Sequence, residues 1–236
     1  MPRQTTKQKS LLIAIPNLTK KTGRAIAIDN MTFSVRPREC LGLFGHDGAG
    51  KSTLLKLLSG AIPATSGNIK IHDIDIATHP IQAKKIIGYQ PEFALSHSNM
   101  KVKSFLGFMA EVRGLRGLEK RKMVDRAITR LELWRVLDSP VAALPPGHRR
   151  KVALAQAILH DPKLLLLDEP TEGLDTLQKQ KVGTLIQSLT EDMTVIVASR
   201  NPEEFSCICQ RALVLAEGRL LPAAPVTELQ RSSRHY

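Results

Sequence analysis

The stretch that decides the fold of this 236-residue chain is Gly45-His46-Asp47-Gly48-Ala49-Gly50-Lys51-Ser52-Thr53. It follows the phosphate-loop pattern, which is a glycine, four residues of any kind, Gly-Lys and then Ser or Thr. The apolar run at residues 40–44 is typical of a strand buried on both faces, and residues 51–59 have the pattern of a helix that Gly60 terminates. A strand, a glycine-rich turn and a helix in this order predict a cradle for nucleotide phosphates.

Each part of this loop has a predicted role. Glycines let the backbone fold closely around a phosphate, and the first turn of the helix adds the positive end of its dipole. We expect Lys51 to reach the β- and γ-phosphates, Ser52 to ligate Mg²⁺ and Thr53 to bond a phosphate oxygen. The whole loop, residues 45–53, is therefore predicted to bind a nucleotide with its Mg²⁺. By itself the loop does not distinguish ATP from GTP.

A second pattern, at residues 164–170, complements the loop. Four leucines form a buried strand that ends in Asp168 and Glu169. Ligands of open α/β sheets bind at the carboxyl ends of the strands, so both acids should face the nucleotide. Asp168 is predicted to hold Mg²⁺, and Glu169 is predicted to polarise an attacking water as the base of a hydrolysis reaction.

Strands that alternate with helices along the chain predict an α/β fold with a largely parallel sheet. Short strands are expected at residues 11–15, 25–28 and 31–35, broken by Asn17, Gly23 and Asn30. Residues 95–145 read as a helical insertion, with helices at about 102–112 and 119–137. The remaining predicted elements are helices at residues 148–159, 175–189 and 202–208, strands at 67–76, 86–89, 164–167 and 195–198, and a hairpin turned at Glu217-Gly218.

Composition limits where the chain is expected to act and what it is expected to bind. No apolar run approaches the ~20 residues that span a bilayer, which favours a cytosolic protein or one bound to the cytosolic face of a membrane. Three cysteines without metal-ligand spacing predict reduced, mostly buried thiols. The net charge of +12 is spread along the chain, so nucleic-acid binding is the less favoured explanation of it. Residues 1–10 and the tail after Arg231 are expected to be disordered.

With these motifs the chain resembles the nucleotide-binding domain of ATP-binding cassette transporters. Residues 144–155 occupy the place of the family signature, and residues 171–175 resemble the loop that meets an opposing subunit. Residues 87–92 and 108–115 are most similar to exporters that drive separate membrane subunits, such as drug, sodium and gliding-motility exporters.

The resemblance implies a phosphate-loop NTPase core at residues 11–230, an antiparallel β subdomain near the N-terminus and a helical subdomain at about 95–145. It implies that two such domains face head to tail and enclose two ATP molecules. Gly147 of the signature would then cap the ATP of the opposing domain, and a separate transmembrane permease would follow the closure. The second domain could be an identical or a different chain.

The sequence departs from the family pattern in four respects. Pro145 and Pro146 replace the signature serine and its first glycine, and proline offers neither a hydroxyl nor an N–H donor. Arg200 stands where a histidine normally contacts the γ-phosphate. Arginine can bind phosphate, but it cannot shuttle a proton at neutral pH; an orientation towards solvent is the alternative for Arg200.

Two further positions concern Mg²⁺ and adenine. Glu92 aligns with the glutamine that senses the metal, with Gln90 two residues earlier, and a carboxylate can still face a metal ion. Thr22 aligns with the aromatic residue that stacks on adenine, so nucleotide affinity or base selectivity should be lower.

Together these residues predict ATP binding with slow hydrolysis. The leading interpretation is the ATPase subunit of a membrane exporter, acting in an asymmetric pair or as a slow switch. A regulator that binds ATP as a conformational switch is the second. A nucleic-acid or ribosome-associated cassette protein is the third, since its only support is the net charge.

Overall fold

The computed structural model describes residues 12–92 and 99–221. The disorder predicted for residues 1–10 and for the tail after Arg231 lies outside the described residues, as does most of the loop predicted at 90–99. The proposed domain limits, residues 11 and 230, lie outside them too.

A six-stranded sheet forms the centre of the fold. With strands numbered in chain order, it consists of β3 (Cys40–Phe44), β6 (Ile87–Gln90), β7 (Leu164–Asp168), β8 (Thr194–Ser199), β9 (Arg211–Ala216) and β10 (Arg219–Leu220). The order across the sheet is β10-β9-β3-β8-β7-β6, and every neighbouring pair is parallel except β9 with β10. This arrangement confirms the predicted α/β class. The hairpin between β9 and β10 turns at Glu217 and Gly218, both with positive φ, as predicted.

Helices cover both faces of this sheet, which explains why its central strands are apolar throughout. Every residue of β3, β7 and β8 is buried. Helix α1 (Lys51–Leu58) packs on one face, and α5 (Pro146–Ile158) and α6 (Thr176–Thr190) pack on the other. Because β3 and β7 both run parallel to β8, their carboxyl ends lie at the same edge of the sheet. Each of the two strands is followed by one of the predicted nucleotide motifs.

A four-stranded antiparallel sheet lies near the N-terminus in the order β2-β1-β4-β5. The strands are β1 (Ile13–Thr22), β2 (Ala25–Val35), β4 (Lys70–Ile71) and β5 (Ile74–Asp75). The predicted breaks at Asn17 and Asn30 were wrong, because both residues lie inside continuous strands. They adopt φ values of 51° and 44°, and the β1–β2 register shifts between Ile15 and Leu18. Asparagine tolerates this left-handed conformation, so it forms a bulge where we expected a strand end.

The helical region consists of α3 (Val102–Val112) and α4 (Gly117–Arg130), packed against α5. The helix predicted at 119–137 was too long: α4 ends at Arg130, Glu132 has a φ of 53°, and a separate 3₁₀ turn follows at Trp134–Val136. The helix predicted at 202–208 is only a 3₁₀ turn at Pro202–Glu204. A short helix, α2 (Pro80–Lys85), was missed because a single buried residue, Ala83, gives no apolar periodicity.

The three cysteines are free thiols, as predicted, and two of them are buried. The Sγ atoms of Cys40 and Cys209 lie 3.5 Å apart, whereas Cys207 is exposed. The hydrogen bond with Cys40, together with burial, raises the pKa of the Cys209 thiol. A thiol held in its protonated form is a poor nucleophile, so Cys209 acts as core packing.

Candidate functional site

The phosphate loop is shaped by glycines at two positions where any side chain would collide with backbone. A Cβ on Gly45 would lie 2.4 Å from the carbonyl oxygen of Leu215, and one on Gly50 would lie 2.7 Å from that of Ala27. Gly50 also has a φ of 108° and caps α1 without a side-chain hydrogen bond. These close approaches fix the loop against the strands around it and leave the first N–H groups of α1 free to face a ligand.

Lys51 is only 6% exposed and points back into this loop. Its Nζ donates hydrogen bonds to the carbonyl oxygens of Gly45 at 2.7 Å and His46 at 3.1 Å, and lies 3.6 Å from Glu169 Oε1. A buried ammonium group is costly unless it is fully paired. Lys51 is thus a fixed positive charge at the position predicted for the terminal phosphates.

Ser52 and Asp168 bring together the two predicted metal ligands. The Ser52 hydroxyl donates a 3.2 Å hydrogen bond to Asp168 Oδ1, and Asp168 is 2% exposed. Burial raises the pKa of Asp168, while the bond from Ser52 lowers it. Two hard oxygens at the phosphate end of the loop fit Mg²⁺, which keeps several waters and takes few protein ligands. The described residues contain no cluster of three or more His, Cys, Asp or Glu side chains that could hold a metal by themselves.

Glu169 follows Asp168 in a strained backbone conformation with a φ of 43°. Its N–H donates to the carbonyl oxygen of Ala198 at 3.0 Å, and its Oε2 accepts a 3.3 Å hydrogen bond from the N–H of Arg200. Burial raises the pKa of Glu169, and the charges of Lys51 and Arg200 oppose that shift. Positive φ at a non-glycine residue costs energy and is frequent at functional sites, where it orients a reacting group.

Arg200 does not point to solvent alone. Its guanidinium contacts three carboxylates: Asp47 Oδ2 at 3.2 Å, Glu169 Oε1 at 3.8 Å and Glu172 Oε2, the shortest of the three. The hydrogen bond with Glu172 is the main reason that the pKa of Arg200 lies above its ordinary value. Arg200 therefore lies beside the predicted base Glu169.

Most of the residues predicted to bind the nucleotide line one cavity of about 250 Å³. It is lined by residues 46–53 of the loop, Glu92, Glu169 and Ala27. Ala27 was not predicted, because nothing in its sequence context marks it, and the exposed Thr22 is not among the lining residues. Gln90 is 1% exposed and its Nε2 has no hydrogen-bond partner in the described structure, so Glu92 is the one that faces the cavity.

Gly147 lies apart from this cavity. A Cβ added there would meet the side chain of Gln178 at 3.3 Å, in a groove between α5 and α6. Helix α5 begins at Pro146, two residues before the predicted start, because proline suits the first helical position. Within one chain Gly147 cannot touch the bound nucleotide, so its predicted role depends on a second domain.

Arg150 is a site residue that the sequence reading did not assign. From α5 it donates to the backbone carbonyl of Glu92 at 2.7 Å and to that of Glu172 at 3.2 Å. Burial lowers its pKa, and the acids around the site oppose that shift. Arg150 thereby ties the helix that follows the signature to two loops beside the nucleotide cavity.

A second, larger cavity of about 890 Å³ lies between α2 and α3, and we name it the lateral groove. Apolar side chains line it, including the exposed Ile81 and Val112, together with Arg113. Tyr89 Oη and His160 Nδ1, at its floor, have no hydrogen-bond partner in the described structure. The exposed apolar side chains of the lateral groove are typical of a surface that another molecule covers.

His160 provides a test of this region that does not depend on function. Its Nε2–H donates to the carbonyl oxygen of Ile87 at 2.9 Å, and burial, helped by the charge of Arg113, lowers its pKa to about 4. In the unfolded chain the His160 ring becomes protonated near pH 6.5. The stability that the fold gains from keeping this ring neutral and buried is therefore fully present above pH 6.5, and it is lost as the pH falls from 6.5 towards 4.

We expect His160→Gln to flatten this acid dependence. Between pH 7 and pH 5 the wild-type free energy of unfolding should fall by about 2 kcal/mol more than that of the variant, as measured by urea titration. The exposed His79, changed to Gln in the same way, is the matched control and should keep the wild-type slope. Equal slopes for all three proteins would mean that folding does not lower the pKa of His160.

None of the helices within residues 12–92 and 99–221 has the length and apolar character needed to cross a bilayer. The sequence matches the ABC transporter family over residues 28–172. An ABC transporter ATP-binding protein of Methanocaldococcus jannaschii is 30% identical over 220 residues, which cover 93% of this chain and 79% of that protein.

YbhF of Escherichia coli, named a probable multidrug ABC transporter ATP-binding protein, is 31% identical over 223 residues, or 94% of this chain. The chain spans 38% of the length of YbhF, and only 9% of that of another relative, the rat ATP-binding cassette sub-family A member 2. Among solved structures, cbiO1 of Clostridium perfringens, part of the ABC transporter complex cbiONQ, superposes with a TM-score of 0.83 at 25% identity, covering 94% of this chain and 92% of cbiO1.

Proposed function

The chain belongs to the ABC transporter family of ATP-binding proteins, and we propose that it hydrolyses ATP slowly to drive a separate transmembrane exporter subunit. One observation carries this proposal: Lys51, Ser52, Asp168 and Glu169 converge at one edge of the parallel sheet, with contacts of 3.2 Å and 3.6 Å between them. Such convergence of cradle, metal ligands and base is what phosphoryl transfer to water requires.

The residues divide the reaction between them. Lys51 and the N–H groups at the start of α1 would bind the β- and γ-phosphates. Ser52 and Asp168 would hold Mg²⁺, which when bound neutralises charge on the phosphate oxygens. Glu169, oriented by its backbone and by the N–H of Arg200, would accept a proton from the attacking water. Arg200 would stabilise the charge on the terminal phosphate.

Slow turnover is proposed because the signature lacks donors. Pro145 and Pro146 begin α5 without a side-chain cap, and neither carries an N–H. In a pair of identical chains both ATP molecules would lose these donors. A different partner with a complete signature could supply them to the ATP held by this chain, which favours an asymmetric pair. The same feature also favours the alternative, a regulator that binds ATP without appreciable turnover.

The lateral groove is the surface that we assign to the transmembrane partner. It adjoins β6 and the helical region, whose α5 reaches the nucleotide loops through Arg150. A short helix of the partner with apolar residues could cover Ile81 and Val112. The chain would then be peripheral on the cytosolic face of the membrane.

The decisive experiment is purification of the tagged chain from native membranes in mild detergent, with identification of stoichiometric partners by mass spectrometry. A multi-span membrane protein is expected, and its loss on changing Val112 to Glu in the lateral groove would locate the contact. Tight ATP binding without a membrane partner or turnover would favour the regulator. Ribosomal proteins or nucleic acid in its place would overturn the exporter proposal and give the net charge of +12 its explanation.

A further inference from the structure

The acids around Arg200 come from three separate parts of the chain. Asp47 belongs to the phosphate loop, Glu169 to the end of β7, and Glu172 to the turn before α6. Arginine binds carboxylates and phosphates through the same planar fork of N–H donors. The positions that these carboxylates occupy around Arg200 are therefore positions that phosphate oxygens could take.

Asp47 is the carboxylate best placed to exchange with a phosphate. It lines the nucleotide cavity together with Lys51 and Glu169, and its Oδ2 lies 3.2 Å from Arg200 Nη1. Its side chain is 78% exposed, whereas that of Arg200 is 34% exposed. Glu169 is buried, and Glu172 makes the shortest of the three contacts with Arg200, so Asp47 is the partner that can swing away at least cost.

Lys51, the other cation of the site, is also engaged by the protein itself. Its three oxygen partners are the carbonyls of Gly45 and His46 and the carboxylate of Glu169. Both cations that would meet the terminal phosphate are thus paired internally. A nucleotide with a γ-phosphate has to replace these contacts, whereas one that ends at the β-phosphate can leave those of Arg200 in place.

We propose that Asp47 is an internal competitor for the γ-phosphate, which pairs with Arg200 in the nucleotide-free chain and must be displaced by ATP but not by ADP. This inference rests on the proposed function, because it assigns Arg200 to the terminal phosphate of bound ATP. Its consequence is a smaller difference in affinity between ATP and ADP than the cradle alone would give. Asp47 becomes free of Arg200 only when the γ-phosphate is bound.

The test is a double-mutant cycle with Asp47→Asn and Arg200→Ala, with Arg200→Lys as a more conservative second variant. Affinities for a non-hydrolysable ATP analogue and for ADP, each with Mg²⁺, would be measured by titration calorimetry. Asp47→Asn should strengthen binding of the ATP analogue about two- to fivefold more than it changes binding of ADP, as expected for the loss of an exposed ion pair that only the γ-phosphate displaces. In the Arg200→Ala background the same change should give no gain, because the competition is already gone.

The matched control is Asp138→Asn, which removes another exposed aspartate, paired with Lys101 at 3.6 Å and remote from the nucleotide cavity. It should leave both affinities unchanged. An equal gain for ATP and ADP, or a gain that persists without Arg200, would mean that Asp47 acts only through its net charge and would overturn the proposal. An unchanged ATP affinity in Asp47→Asn would overturn it as well. If the wild type binds neither nucleotide, the proposed function fails together with this inference.

Discussion

Changing Glu169 to Gln should lower ATP turnover by about 100- to 10,000-fold while ATP still binds. Glutamine has nearly the same shape as glutamate, so the contacts with the N–H of Arg200 and with Lys51 can persist in part. What it lacks is a carboxylate able to accept a proton from water. The cradle for the phosphates depends on the loop glycines and on Lys51, which the substitution leaves in place.

Turnover would be followed by phosphate release, and binding by titration with ATP in the presence of Mg²⁺. Glu191→Gln, at the exposed end of α6, is a suitable control and should behave as the wild type in both measurements. A Glu169→Gln variant that keeps more than a third of the wild-type rate would show that another group accepts the proton. A variant that no longer binds ATP would instead assign Glu169 to the binding site, through its pairing with Lys51.

The sequence predicted those parts of the site that are built from contiguous residues. The phosphate loop and the Asp168-Glu169 pair each follow a buried strand, and parallel strands place their carboxyl ends at one edge of a sheet. A local pattern is therefore sufficient to bring Ser52 within 3.2 Å of Asp168, residues that are far apart in the chain. The α/β class was confirmed for the same reason, since alternation of strands and helices is a local property.

The contacts that the sequence could not predict join loops whose relative positions depend on the whole fold. Arg200 forms ion pairs with Asp47 and Glu172, and Arg150 donates hydrogen bonds to two backbone carbonyls. No spacing or residue type in the sequence predicts these contacts. Local errors had local causes. Asn17 and Asn30 form bulges within strands, because asparagine serves equally well in a turn and in a bulge. The conformational propensity of asparagine alone does not distinguish a turn from a bulge.

Restoring the signature should have the second large effect, in the opposite direction. We expect the double variant Pro145→Ser, Pro146→Gly to raise ATP turnover about 10- to 100-fold when two copies of this chain form the pair. Removing one preorganised donor to a developing negative charge typically costs two to three orders of magnitude, and this variant adds a hydroxyl and two backbone N–H groups. Turnover can increase in a homodimer because the signature prolines are present at both ATP sites.

The structure explains why the prolines persist without harm to the fold. Pro146 is the first residue of α5, where the missing N–H would have had no partner within the helix. That same N–H is one of those that a phosphate of the opposing ATP would meet. Proline at this position therefore preserves the helix and removes the donor, so the two effects can be separated by experiment.

Pro80→Gly is the matched control, because Pro80 is the exposed first residue of α2 and lies outside the nucleotide cavity. It should cost a little stability, as Pro146→Gly should, and leave turnover unchanged. Turnover would be measured over a range of protein concentrations, since a gain that needs two chains should grow with concentration. A restored signature without any gain, at concentrations where the chain is dimeric, would mean that Arg200 and not the prolines limits hydrolysis. A gain independent of concentration would mean that the prolines act within one chain.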